Sequence, residues 1–117
     1  MKKKIINTSK SPAPIGPYNQ AILKGNTLFI SGQIALNADS MRLNNKSIND
    51  ETHQVMQNLK NILEEANMNF NDVVKSSIFL SDMTLFKEVN EIYGSYLTPG
   101  NEPARETIAV KTLPMNV

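Results

Sequence analysis

Few residues in this chain have a type and setting that could do chemistry, and Arg105 leads them. The chain carries ten lysines but only two arginines, Arg42 and Arg105. Arg105 follows Pro103-Ala104 and precedes the strand-like run Thr107-Ile108-Ala109-Val110. Pro103 fixes its own φ and stiffens the entry to that run. A guanidinium on a rigid strand end is a planar fork of donors, suited to holding a carboxylate by two parallel hydrogen bonds. On position alone, a structural ion pair is an equal alternative. Ser31-Gly32 sits inside an otherwise apolar run, which marks either a close backbone approach or a small residue needed for packing. Asn90 lies between Phe86 and Tyr93 on one side of a predicted helix, where a buried amide needs a loop or a neighbouring chain to bond. At the margin of the buried face it would need neither. His53 falls in a first helical turn at the surface and is assigned no role.

The elements that must position these residues follow from pattern. Ile5-Ile6-Asn7 reads as a short strand. Ser9 to Pro17 holds prolines at 12, 14 and 17 and Gly16, so it is an ordered loop. Tyr18 opens a strand through Leu23, Gly25-Asn26 is a turn, and Leu28 to Ile34 is the next strand of a hairpin. Asn37 to Asn49 is a polar surface loop containing Arg42. Asn49 is placed to cap the first helix, with Asp50 and Glu51 at the positive end of its dipole. Val55, Leu59, Ile62 and Ala66 give its apolar stripe, and Asn67 is a left-handed stop. Val73 to Leu80 is a third clear strand. Asp82 or Thr84 caps the second helix, whose apolar face is Phe86, Val89, Ile92, Tyr93, Tyr96 and Leu97. A last strand runs through about Leu113, ended by Pro114. The order is three strands, helix, strand, helix, strand. With both helices on one face, the sheet's other face must be covered too, and oligomerisation is a common way to do so.

The totals narrow the function classes. The 117 residues predict one domain, 1–117, with 40% hydrophobic and 20% charged residues. A net charge of +1 argues against a broad electrostatic grip on nucleic acid or an anionic membrane. Without cysteine there is no thiolate nucleophile, disulfide or cysteine metal site, and one histidine makes no histidine metal cluster. No apolar run is long enough to span a membrane and the start lacks a signal peptide's apolar core. A cytoplasmic location is the expectation.

Four segments together resemble the Rid (YjgF-type) family, and most of all its RidA branch, the reactive intermediate deaminases. They are Gly16-Pro17-Tyr18-x-Gln20-Ala21, Ile30-Ser31-Gly32-Gln33-Ile34, Val89-Asn90-x-x-Tyr93 and Pro103-Ala104-Arg105. The similarity runs from about Ile5 to Pro114. It implies a chorismate-mutase-like α+β fold, a single domain with a mixed sheet and two helices on one face. It also implies a homotrimer with three pockets between subunits. The implied reaction is cofactor-independent and metal-independent hydrolysis of enamines and imines, such as 2-aminoacrylate, 2-iminopropionate and 2-iminobutyrate, to 2-oxo acids and ammonia. By the same resemblance Arg105 holds the substrate carboxylate, Tyr18, Ser31 and the Gly32 backbone line the pocket, and Asn90 stands near it. Strand alternation puts Thr107 on the side of Arg105 and Glu106 on the other, so Thr107 is the better pocket neighbour.

The family pattern continues into one more strand bearing a glutamate thought to position the water, and the sequence stops just short of it. Such a strand is expected to be missing after 117, leaving Thr107 to Lys111 an unpaired edge. The alternative function is a non-catalytic trimer that binds 2-oxo acids or related carboxylates through Arg105. An RNA-acting role, also described in the family, is opposed by the near-neutral charge.

Overall fold

The computed structural model describes residues 1–117, and its elements follow the expected order. They are β1 (Lys3–Ile6), β2 (Ala21–Lys24), β3 (Thr27–Ile30), α1 (Ile48–Glu65), β4 (Lys75–Leu80), α2 (Phe86–Ser95) and β5 (Ala104–Ala109). β2 and β3 form the hairpin, with Lys24 opposite Thr27. Gly25 in its two-residue loop sits at φ 60°, in the left-handed region such loops require. β1 adds antiparallel to β2, and β4 and β5 pair in parallel with Ser76 opposite Arg105. The α+β architecture and the mixed pairing are as expected, but the pairing is divided between a three-stranded antiparallel sheet and a two-stranded parallel one. A cavity of about 660 Å³ separates the free edges of β3 and β4, lined by Leu28 and Ile30 on one side, Lys75 and Ser76 on the other, and Val55 and Leu59 from α1.

α1 packs its stripe on the three-stranded sheet. Ile62 is fully buried against Ile6 and Ala21, with Leu23, Leu28, Ile30 and Ala66 around them. Burying a side chain of that size contributes roughly 1.5–3 kcal/mol. The helix starts two residues earlier than expected. Ser47, not Asn49, is its cap: the Ser47 backbone is extended and its Oγ accepts from the Asp50 amide at 3.0 Å. A serine reaches the third helical amide from that position, so helical geometry begins at Ile48. Asn67 adopts φ 58° and stops the helix as expected. Of the two candidate caps for the second helix, Asp82 does the capping, accepting from the Thr84 amide at 2.8 Å. It caps a 3₁₀ turn, Met83–Leu85, that leads into α2.

Strand ends also differ from expectation: β1 spans Lys3–Ile6 rather than residues 5–7, and β2 starts at Ala21 rather than Tyr18. β3 stops at Ile30, because Ser31 makes the last bond of the ladder, to the Gln20 carbonyl, and Gly32 to Ile34 then peel away. β4 starts at Lys75, because Val73 still closes the 3₁₀ turn Phe70–Asp72. β5 ends at Ala109 rather than Leu113, since its partner β4 ends at Leu80; Val110 makes one further bond, to Leu80.

Alternation along the strands sorts the two faces. Ser76, Ile78, Arg105 and Thr107 are partly buried, while Ser77, Phe79, Glu106 and Ile108 are exposed. Ile5 and Phe29 are exposed in the same way on the other sheet, at 53% and 63%. No element of the chain covers this apolar side.

Candidate functional site

Arg105 is placed by β5 and held by α2. Phe86, Asn90 and Tyr93 are spaced four and three residues apart, so they share one helical face. The Arg105 guanidinium carbon lies 5.5 Å from the Phe86 ring centre and 5.2 Å from that of Tyr93. Its Nη1 donates to Asn90 Oδ1 at 2.5 Å. Tyr93 is itself fixed through its hydroxyl, 2.5 Å from Ser76 Oγ on β4. The guanidinium is thus fixed by two rings and one amide while its remaining donors stay uncommitted. The chain's ion pairs are Lys60–Glu64 and Lys75–Glu106, so Arg105 has no carboxylate partner. The structural ion pair considered for this residue is overturned. Asn90 is exposed, at the margin of the buried face, and its partner is the Arg105 side chain rather than a loop or a neighbouring chain.

Thr107 follows on the same face, and its Oγ1 is the one buried side-chain polar atom in the chain without a hydrogen-bond partner. Glu106 points the other way. It accepts from Lys75 Nζ and, at 2.5 Å, from Ser77 Oγ. Those two bonds hold its pKa below the ordinary value. A carboxylate kept ionised on the far face of the strand cannot serve as an acid beside Arg105.

Tyr18, Ser31 and Gly32 come together elsewhere, around a cavity of about 460 Å³ that also touches Gln33 and Pro114. Gln20 sets the loop that carries Tyr18. Its buried amide accepts from the Thr8 amide at 2.7 Å and donates to the Thr8, Ser11 and Pro12 carbonyls at 2.9–3.2 Å. Tyr18 is 45% exposed, and its hydroxyl accepts from the Ile15 amide at 3.2 Å. Ser31 Oγ donates to the Asn19 carbonyl at 2.6 Å. A Cβ added at Gly32 would meet nothing within 4 Å. Packing inside the chain therefore does not require glycine there, which removes the packing explanation. Neither cavity is lined by Arg105, Asn90 or Thr107, and Tyr18 lines only the smaller one, so Arg105 and Tyr18 stand in two half-sites of one chain; Ser31 and Gly32 also line the 660 Å³ cavity, together with Ser76 and Tyr93.

Phe86, Tyr93 and Ser76 are the functional neighbours that sequence reasoning missed. The signal was present in the shared face of Phe86, Asn90 and Tyr93, but both aromatics were read as core. His53, exposed as expected, has a partner after all: its Nδ1 lies 2.8 Å from the Tyr96 hydroxyl and ties α1 to α2. No group of three or more His, Asp or Glu side chains converges, and no helix is long and apolar enough to cross a membrane.

Comparison with known proteins supplies the lineage. The family described as Endoribonuclease L-PSP matches residues 8–117. A mouse protein named 2-iminobutanoate/2-iminopropanoate deaminase is 44% identical over 112 residues, covering 96% of this chain and 82% of its own. Reactive Intermediate Deaminase A of Arabidopsis thaliana, a chloroplastic protein, is 41% identical over 116 residues, covering 99% of this chain and 62% of its own. The crystal structure of RidA from an Antarctic Psychrobacter superposes with a TM-score of 0.92 at 37% identity, covering 97% of this chain and 90% of that one. On these matches the chain belongs to the Rid (YjgF) family.

Proposed function

We propose that this protein hydrolyses short-lived 2-imino acids and their enamine tautomers, such as 2-iminopropanoate and 2-iminobutanoate, to 2-oxo acids and ammonia. The observation that carries this reading is Arg105, a guanidinium fixed by Asn90, Phe86 and Tyr93 with no carboxylate partner in the chain. Its free donors suit the carboxylate of a small 2-imino acid. The names of the mouse and Arabidopsis relatives support the same chemistry. The imine carbon is already electrophilic, so the protein has to orient it, place a water and pass protons. Water adds to the C=N carbon, the nitrogen gains protons, the C–N bond breaks and ammonia leaves the 2-oxo acid. Thr107 Oγ1, without a partner on the same face as Arg105, is the polar neighbour of that site, and the Tyr18, Ser31 and Gly32 wall completes the pocket.

That wall is brought to Arg105 by a second copy, in a homotrimer with pockets between subunits. Two features support this assembly. The uncovered sheet face displays Ile5, Phe29, Phe79 and Ile108. The chain's accessible surface is 7566 Å², whereas a compact monomer of this mass is expected to expose about 6,300 Å². The near-neutral charge argues against nucleic acid as the substrate.

A second reading, a trimer that binds 2-oxo acids without turnover, is favoured by one observation: Glu106 is turned away and paired with Lys75. The deciding experiment generates imine in situ with a threonine or serine dehydratase and follows 2-oxo acid formation with the parent and Arg105→Ala. Two charge-assisted hydrogen bonds are worth ~1.5–3 kcal/mol each, so the variant should lose on the order of 10²-fold or more. Carboxylate binding by the parent without acceleration would move the assignment to the second reading.

A further inference from the structure

Two irregular stretches wall the Tyr18 cavity: the loop carrying Pro12 and Tyr18, and the segment from Ser31 to Leu36 that peels away after β3. The two walls meet at Ser31, which donates to the Gln20 and Asn19 carbonyls; beyond it the irregular backbone has no ladder to hold it, so its spacing depends on side-chain bonds. Both walls converge on one residue of α1. Ser11 Oγ, from the first wall, donates to the Asn58 main-chain carbonyl at 2.7 Å. The Asn58 side-chain amide donates to the second wall, to Ile34 O at 3.3 Å and Leu36 O at 3.0 Å. Its Oδ1 accepts from Gln54 Nε2 at 2.9 Å, so the amide cannot flip without losing all three bonds. Asn58 is 1% exposed and Ser11 2%, so water cannot replace these bonds. An apolar residue at a buried position facing Ile62 would suit packing better; an amide has a reason to be there only if it holds something.

We propose that Asn58 is a positioning residue for the candidate site, fixing the Ile34–Leu36 end of the second wall against the Ser11 end of the first. The proposal rests on the reading of that cavity as part of the substrate pocket. Asn58→Asp keeps the shape and removes both donors to the second wall. Ser11→Ala removes the first wall's bond to α1 and leaves Asn58 and the Gln20 bonds to that wall in place. Ile62→Val, in the core one turn along α1, controls for simple loss of stability.

The test combines amide hydrogen exchange with steady-state kinetics of imine hydrolysis and binding of 2-oxobutanoate. Local release should accelerate exchange at residues 31–36 in Asn58→Asp and at 12–18 in Ser11→Ala by about tenfold or more under conditions where each is folded. Both should raise KM by roughly fivefold or more while kcat changes less, because the carboxylate anchor lies on another element. Ile62→Val should lower the melting temperature and leave KM at the parent value. Folded Asn58→Asp and Ser11→Ala with parent exchange and parent KM would overturn the proposal. Should Asn58→Asp fail to fold, Asn58→Ser, whose shorter side chain cannot reach the Ile34 and Leu36 carbonyls, decides in its place. A parent that hydrolyses no imine would instead count against the deaminase reading, and the exchange pattern with 2-oxobutanoate binding would still decide whether Asn58 spaces the walls.

Discussion

Arg105 illustrates how one side chain is made specific by its neighbours. Two ring faces confine the guanidinium and Asn90 uses one donor, so the orientation of the free donors is set in advance. Replacing Tyr93 by leucine keeps the bulk and removes the ring and the Ser76 bond. Cation–π contacts are worth about 0.5–2 kcal/mol, so KM for the imine should rise roughly two- to thirtyfold in a coupled assay, with a smaller effect on kcat. Arg105→Lys should not restore the parent rate, since an ammonium is no planar fork. Glu106 makes a separate, pH-dependent contribution. Its pKa is lowered by the bonds from Lys75 and Ser77, so its stabilisation is present above the ordinary value of 4.5 and is lost as pH falls through the lower folded value. The melting temperature of Glu106→Gln should therefore lie below the parent's at neutral pH and converge with it in acid. The gap will be small, because the pair is exposed.

At the scale of the element, the ends matter most, because they aim the side chains. Ser47→Ala should cost about 1 kcal/mol, read as a fall of a few degrees in melting temperature, while Asn49→Ala should change little. Neither should alter turnover per folded protein, since the α1 start lies away from Arg105. β5 is a short parallel strand paired on one side only, so the bond between Arg105 and Asn90 on α2 also helps hold it, while Tyr93 ties α2 to Ser76 on β4. The hydrogen bond between Tyr96 and His53 ties the two helices together.

For the whole molecule, the decisive feature is surface left over. Only 15 residues are buried, too few to account for the apolar residues the strands carry, and those outside the core gather on the uncovered sheet face. A trimer closed on that face predicts a particle three times the 13.0 kDa of one chain. Phe79→Asp places a charge in the interface and should give a monomer by sedimentation velocity. Because the two half-sites lie on different parts of one chain, that monomer should also lose imine hydrolysis, although Arg105 is untouched.

Local physics made much of this legible in the sequence. The element order, the Gly25-Asn26 hairpin, the stop at Asn67 and the opposite facing of Thr107 and Glu106 depend on contacts within a few residues, and period and turn chemistry report those directly. The cap was misread by two residues because Ser47 and Asn49 are both good caps, and only the path of the incoming chain chooses between them. Tertiary structure alone decided the rest. It decided where β3 and β5 stop, because a strand ends where its partner does. It turned Phe86 and Tyr93 from core residues into the flanks of Arg105, because a ring's role depends on what a distant strand sets against it. It also kept Arg105 apart from Tyr18, because no rule of local spacing relates a strand residue to a distant loop.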